Sequence, residues 1–164
     1  RPDDPRYWDK IRDQFLLAAY ADLLLDQGRP AEVITLLRDW VRSDVLLLRL
    51  ALAESALGAP AAREHVIALA DRFAAAALRG DRLHLQEEAR FELLLRNDPA
   101  KALELATESW RVQREPRDAR ILMQAALAAR NRDAARPALD WLGATGYEDP
   151  SYRALGDALG RQSK

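Results

Sequence analysis

The chain has 164 residues, 49% of them hydrophobic and 31% charged, with a formal net charge of -1 and no cysteine. This is the composition of an ordinary soluble domain, and the absent cysteine excludes disulfides, thiolate metal sites and thiol nucleophiles. Alanine (31) and leucine (28) fill 59 positions, whereas Val, Ile and Thr together fill 12. Helix formers therefore dominate, and too few β-branched residues remain to cover even one sheet.

An all-α fold is expected. No apolar run approaches the ~18 residues that a membrane-spanning helix needs. The longest, 15–25 and 45–53, are interrupted by Asp22 and Arg49. The chain opens Arg1-Pro2-Asp3-Asp4 without Met or a signal-like segment, which reads as the C-terminal part of a longer array and leaves the compartment open between cytoplasm and periplasm. Arginine supplies 22 of the 25 basic side chains; with the alanine excess, this suggests a GC-rich bacterial source.

In chain order, Asp4-Pro5 reads as an N-cap followed by proline at the first helical position. Leu16, Ala19, Leu23 and Leu24 follow at helical spacing, then the turn Gly28-Arg29-Pro30-Ala31-Glu32, then Val33, Leu36, Leu37, Trp40 and Val41. This predicts a helix hairpin over 5–43. A second, over 44–80, has Leu47, Leu50, Ala53 and Leu57 before Gly58-Ala59-Pro60, and Val66, Leu69, Ala70, Phe73 and Ala77 after it. The third, over 81–116, turns at Asn97-Asp98-Pro99 between Leu85, Ala89, Leu93, Leu94 and Ala102, Leu103, Ala106, Trp110, Val112. The fourth, over 117–146, turns at Asn131-Arg132-Asp133 between Ile121, Leu122, Ala125, Ala126, Ala129 and Ala138, Leu139, Trp141, Leu142.

In each turn a Gly or Asn suits the left-handed position past a helix, and Pro or Asp suits the first turn of the next. A capping helix is expected over 150–162, buried through Tyr152, Leu155 and Leu159. Trp40, Phe73, Trp110 and Trp141 recur late in each second helix and read as wedges between hairpins.

The turns are 30, 39 and 34 residues apart, and small residues (Ala21, Ala51, Ala89, Ala125) precede them by similar distances. On these features the chain resembles the tetratricopeptide repeat (TPR) family over nearly its whole length. Spacing varies, and Val33 and Arg136 stand where the family usually has alanine. The resemblance implies a TPR-like α-solenoid, a right-handed superhelix of about four antiparallel helix hairpins plus the capping helix. Its concave face, built from first helices, would hold a peptide or partner protein. The Lys and Asn of the family's carboxylate clamp find no match: Lys10 is the only Lys on an expected first helix.

Chemistry-bearing patterns are sparse. His84, Glu87 and Glu88 lack a third converging ligand and read as a solvated helix face; His65 beside Glu64 reads as a partly buried histidine. Glu87, Glu88, Glu92, Glu104 and Glu108 alternate with Arg90, Arg96 and Lys101, as on an ion-paired surface. No glycine-rich phosphate loop or nucleophile elbow is present. No catalytic residue, cofactor or metal ligand is expected.

The window 111–136 carries seven arginines against three acids, beside 86–108 with six acids against three bases. The two pair with each other, or the arginines form a site for a carboxylate or acidic peptide. Nucleic acid is disfavoured by the overall charge and by the confinement of the basic region to one repeat. The reading is a non-enzymatic scaffold or adaptor with Asp22, Asp26, Ser55, Gln86, Arg90 and Arg120 facing the partner. The alternatives are homotypic assembly through an N-terminal hairpin made sticky by Tyr7, Trp8, Ile11 and Phe15, and a regulatory or RNA-binding helical repeat.

Overall fold

The computed structural model describes residues 5–82 and 84–162, with side chains from residue 13 onward. Asp4 and the side chains of Tyr7, Trp8 and Ile11 lie outside the described residues. Those residues form nine α-helices and one 3₁₀ turn, with no strand among them. No helix among them is long and apolar enough to cross a membrane. The chain divides into two compact units, Arg1–Asp81 and Arg82–Lys164.

The first unit contains α1 (Pro5–Asp26), α2 (Pro30–Leu37), α3 (Asp44–Leu57) and α4 (Ala62–Leu78). Helices α1, α2 and α4 all pack on α3. That explains the composition of α3, which buries Leu46, Leu47, Leu48, Leu50, Ala51 and Ala53 around its whole circumference, as a helix surrounded by others must. The Ser43 side chain caps its start by accepting from the Leu46 N–H, and Gly58, at φ 64, ends it. A side chain there would have to enter the left-handed region, which only glycine visits cheaply.

The second unit contains α5 (Leu85–Leu94), α6 (Pro99–Val112), α7 (Pro116–Ala128), the 3₁₀ turn Arg132–Ala135, α8 (Arg136–Thr145) and α9 (Pro150–Arg161). Here α7 is central, touched by α5, α6, the 3₁₀ turn, α8 and α9. Its Ile121, Leu122 and Met123 sit in one core with Leu105 and Trp110 of α6 and Tyr152 and Leu159 of α9. Caps fix the helix starts: Asp98 accepts from Lys101 N at 2.9 Å, Glu115 and Asp118 form a reciprocal capping box, and Asp149 accepts from Ser151 N at 2.8 Å. The Tyr152 hydroxyl donates to the Pro116 carbonyl at 2.7 Å and ties α9 to the start of α7.

Several details depart from the expectations. Helix α2 stops at Leu37, so Trp40 and Val41 lie in turns closed by Trp40 N–H to Leu37 O and Ser43 N–H to Trp40 O. The 30-residue spacing between the first two turns leaves no room for a longer helix. In the fourth turn the left-handed residue is Arg130 (φ 53), one before the expected Asn131; Asn131 instead caps the 3₁₀ turn by accepting from Ala134 N. Leu16, Leu23, Leu57 and Val112, expected on packed faces, are exposed. In α1 the packed face runs through Ala18, Ala21 and Leu24. Leu57 and Val112 occupy helix ends, beyond the neighbouring helix's cover.

Candidate functional site

Each of the four expected turns closes with a long backbone hydrogen bond back to the preceding helix. Arg29, Ala59, Asp98 and Asn131 donate to the carbonyls of Leu24, Glu54, Glu92 and Ala126, each at 2.9 Å. The bond spans six residues in the third turn and five in the others, because the Asn97 turn holds one extra residue. These carbonyls place α1, α3, α5 and α7 in a common register.

Two residues before the carbonyl stand Asp22, Leu52, Arg90 and Gln124; six before it stand Ala18, Leu48, Gln86 and Arg120. Positions four apart lie one above the other on a helix. Helices α5 and α7 pack against each other, so Gln86 and Arg90 on one helix share a register with Arg120 and Gln124 on the other. Gln86 is buried, and Arg90, Arg120 and Gln124 are half-buried. Arginine forks and amide groups suit carboxylate and backbone carbonyl groups of an extended peptide. Arg120 also lies in the field of Asp149, whose carboxyl is held below its ordinary range first by the Ser151 hydroxyl and backbone, with Arg120 adding to it.

Four of the six expected partner-facing residues, Asp22, Gln86, Arg90 and Arg120, fall in these two rows. Asp26 and Ser55, both exposed, lie outside them near the ends of α1 and α3. Gln124 was not among the expected residues, although it precedes Asn131 by seven residues as Arg90 precedes Asn97. The same register puts Ala21, Ala51 and Ala89 in equivalent buried positions, whereas α7 has Met123 there, two residues before Ala125.

In the first unit the equivalent row is occupied internally. Asp22 Oδ2 accepts from Arg49 Nη2 at 2.8 Å, and Arg49, fully buried in α3, also donates to the Val45 carbonyl at 2.8 Å. Nearby, His65 Nδ1 of α4 lies 2.7 Å from Glu54 Oε2 of α3, and Glu54 is buried. His65, without an evident partner in sequence, thus has one eleven residues upstream on the preceding helix.

The remaining charged groups sort locally. Burial raises the carboxyls of Glu88 and Glu92 above the ordinary range, against the lowering field of Lys101 and, for Glu88, Arg82. Arg82 is ion-paired with Glu108, Arg117 with Glu115 at 3.1 Å and Arg136 with Asp133 at 3.4 Å. His84 is exposed while Glu87 is buried, and among the described residues no group of three His, Cys, Asp or Glu is placed to hold a metal. The aromatics expected as wedges divide: Phe73 and Trp110 are buried, Trp40 and Trp141 half-buried. Trp110 and Trp141 meet edge to face at 5.9 Å, and Tyr147 and Tyr152 continue the contact.

No protein-family model matches the chain, and no curated protein or solved structure matches it significantly.

Proposed function

We propose that this chain is a non-enzymatic protein–protein interaction module, a scaffold or adaptor built on a TPR-like solenoid. It holds a peptide or partner protein on the concave face formed by first helices. The observation that carries this reading is the shared register of Gln86 and Arg90 on α5 with Arg120 and Gln124 on α7, two helices in contact. The packing order within each unit supports it as well. First helices touch one another (α1 with α3, α5 with α7), and each second helix packs on the next first helix (α2 on α3, α6 on α7). Within each unit, hairpins stacked in this way expose a shared first-helix face.

On that face the half-buried Arg90 and Arg120 are the groups that recognise an acidic side chain or a terminal carboxylate, because a guanidinium fork binds a carboxylate bidentately. The test is affinity capture from a cell extract with the immobilised chain and with its Arg90→Glu, Arg120→Glu double variant, followed by mass spectrometry. With both proteins equally helical by circular dichroism, a protein retained by the wild type and lost from the variant is expected. Equal capture by both overturns the reading.

A further inference from the structure

Gln86 lies in the first turn of α5 and is 9% exposed. Its side-chain amide nevertheless makes no hydrogen bond among the described residues. Other buried polar groups are engaged: Arg49 donates to Asp22, Ser109 donates to Asp118, and Glu54 lies 2.7 Å from the His65 ring nitrogen. Neither amide atom of Gln86 is sealed from solvent, so an enclosed stem carries an open polar tip. Enclosure costs a glutamine its rotamer freedom, and no internal hydrogen bond offsets that cost. A ligand group placed on the tip supplies the missing bond.

The neighbours narrow the chemistry of that group. Gln86 is followed by the buried Glu87 and the half-buried Glu88, whose carboxylates repel an anion brought beside the amide. A cation would leave both amide N–H donors unused. A neutral group that donates and accepts at once matches the carboxamide fully, and the peptide group is one that every protein partner carries. On α7, which touches α5, Gln124 repeats the pattern: it is half-buried, and its amide also makes no hydrogen bond among the described residues. Peptide groups inside a helix are consumed by its own ladder. A segment that offers them to glutamines is therefore extended.

We propose that the partner segment held on α5 and α7 is extended and is bound by its main chain, with Gln86 hydrogen-bonded to one peptide group and Gln124 to another. This rests on the peptide-binding reading above and adds the class of its ligand. The glutamines take a linear segment whatever its side chains, and Arg90 and Arg120 select the acidic ones.

The test starts from random linear peptides displayed on phage and selected on the full chain. The strongest binder is synthesised and N-methylated one residue at a time, each methyl removing one backbone N–H. Gln86→Leu should weaken binding about tenfold, the worth of one hydrogen bond to a neutral group. N-methylation at one position should cost about as much in the wild type and nothing further in Gln86→Leu, because both changes remove the same bond. The free Gln86→Leu chain should unfold at the same temperature as wild type or higher, since no internal hydrogen bond is lost. A lower midpoint would give Gln86 a structural role and overturn the proposal. So would a binder indifferent to Gln86→Leu, or N-methyl penalties unchanged in that variant; if the same binder is lost on Arg90→Glu with Arg120→Glu, the peptide-binding reading stands without this addition. A library that yields no binder, or binders indifferent to the arginine reversal, overturns both together.

Discussion

Arg49 Nη2 donates to Asp22 Oδ2 at 2.8 Å, and this bond joins α3 to α1 from within the core, where Arg49 is only 1% exposed. Desolvating a guanidinium is costly unless its charge is matched, so removing the carboxylate takes from a buried cation one of the groups that match it. Asp22→Ala should therefore cost about 2–3 kcal/mol, less than a fully enclosed pair because Asp22 is partly solvated. Chemical denaturation measures it. Replacing both residues together, Asp22→Leu with Arg49→Met, should recover most of the loss; a double variant as unstable as Asp22→Ala would contradict this account.

Arg130 holds φ 53 at the end of α7, whereas the equivalent turns after α1 and α3 have Gly28 and Gly58 at φ 67 and 64. A residue with a Cβ is strained there, and glycine relieves the strain at some cost in chain entropy. Arg130→Gly should stabilise the second unit by about 0.5 kcal/mol, and Gly58→Ala should destabilise the first by about 1 kcal/mol. Thermal unfolding midpoints moving in opposite directions would bear this out; a fall for both would refute the strain argument at Arg130.

The raised carboxyl of Glu88, whose first cause is burial, makes stability depend on pH in a definite direction. A carboxyl with a folded value above its unfolded one binds its proton more tightly when folded. Its favourable contribution is complete below the unfolded value near 4.5 and is lost as pH rises through the folded value. Glu88→Gln should then be more stable than wild type at pH 7, by a fraction of a kcal/mol since half the side chain is solvated. That advantage should shrink as the pH falls to about 4.5. Urea midpoints at the two pH values decide it, and a difference independent of pH would show that burial of the charge is not its source. Asp118, raised by burial against the opposing Ser109 hydrogen bond, contributes with the same sign. Asp149, lowered by Ser151, contributes with the opposite sign, its stabilisation disappearing as the pH drops through its folded value.

Trp110 and Trp141 meet at 5.9 Å with planes 89° apart, the edge-to-face arrangement that aromatic quadrupoles favour. Trp110→Ala should cost about 3–4 kcal/mol through lost burial. A double-mutant cycle with Trp141→Ala should give a coupling of about 1 kcal/mol. A coupling of zero would reduce the pair to independent packing.

Helix positions were legible in the sequence because they follow from short-range chemistry. Gly28, Gly58 and Asn97 take the left-handed conformation, and Ser43, Asp98 and Asp149 act as caps, each for reasons visible within a few residues. Less legible was anything set by which helices touch. Leu16 and Leu23 lie on a face of α1 as apolar as the packed one, and periodicity alone cannot rank two such faces. Arg49 interrupts an apolar run and looks like a surface residue until α1 brings Asp22 to it. The rows on α5 and α7 follow from the turn residues themselves: Gln124 stands seven residues before Asn131 as Arg90 stands seven before Asn97, and Arg120 and Gln86 each stand eleven before.

The most direct test of the first-helix face as the binding surface is site-specific photo-crosslinking. A benzophenone amino acid is placed at Gln124, in the α7 row, or at Glu104, exposed on α6, and the bound partner is identified after irradiation. The account predicts a crosslink from position 124 that disappears in the Arg90→Glu, Arg120→Glu background, and none from position 104. A partner captured from position 104 and not from 124 would place binding on the second-helix face and contradict it.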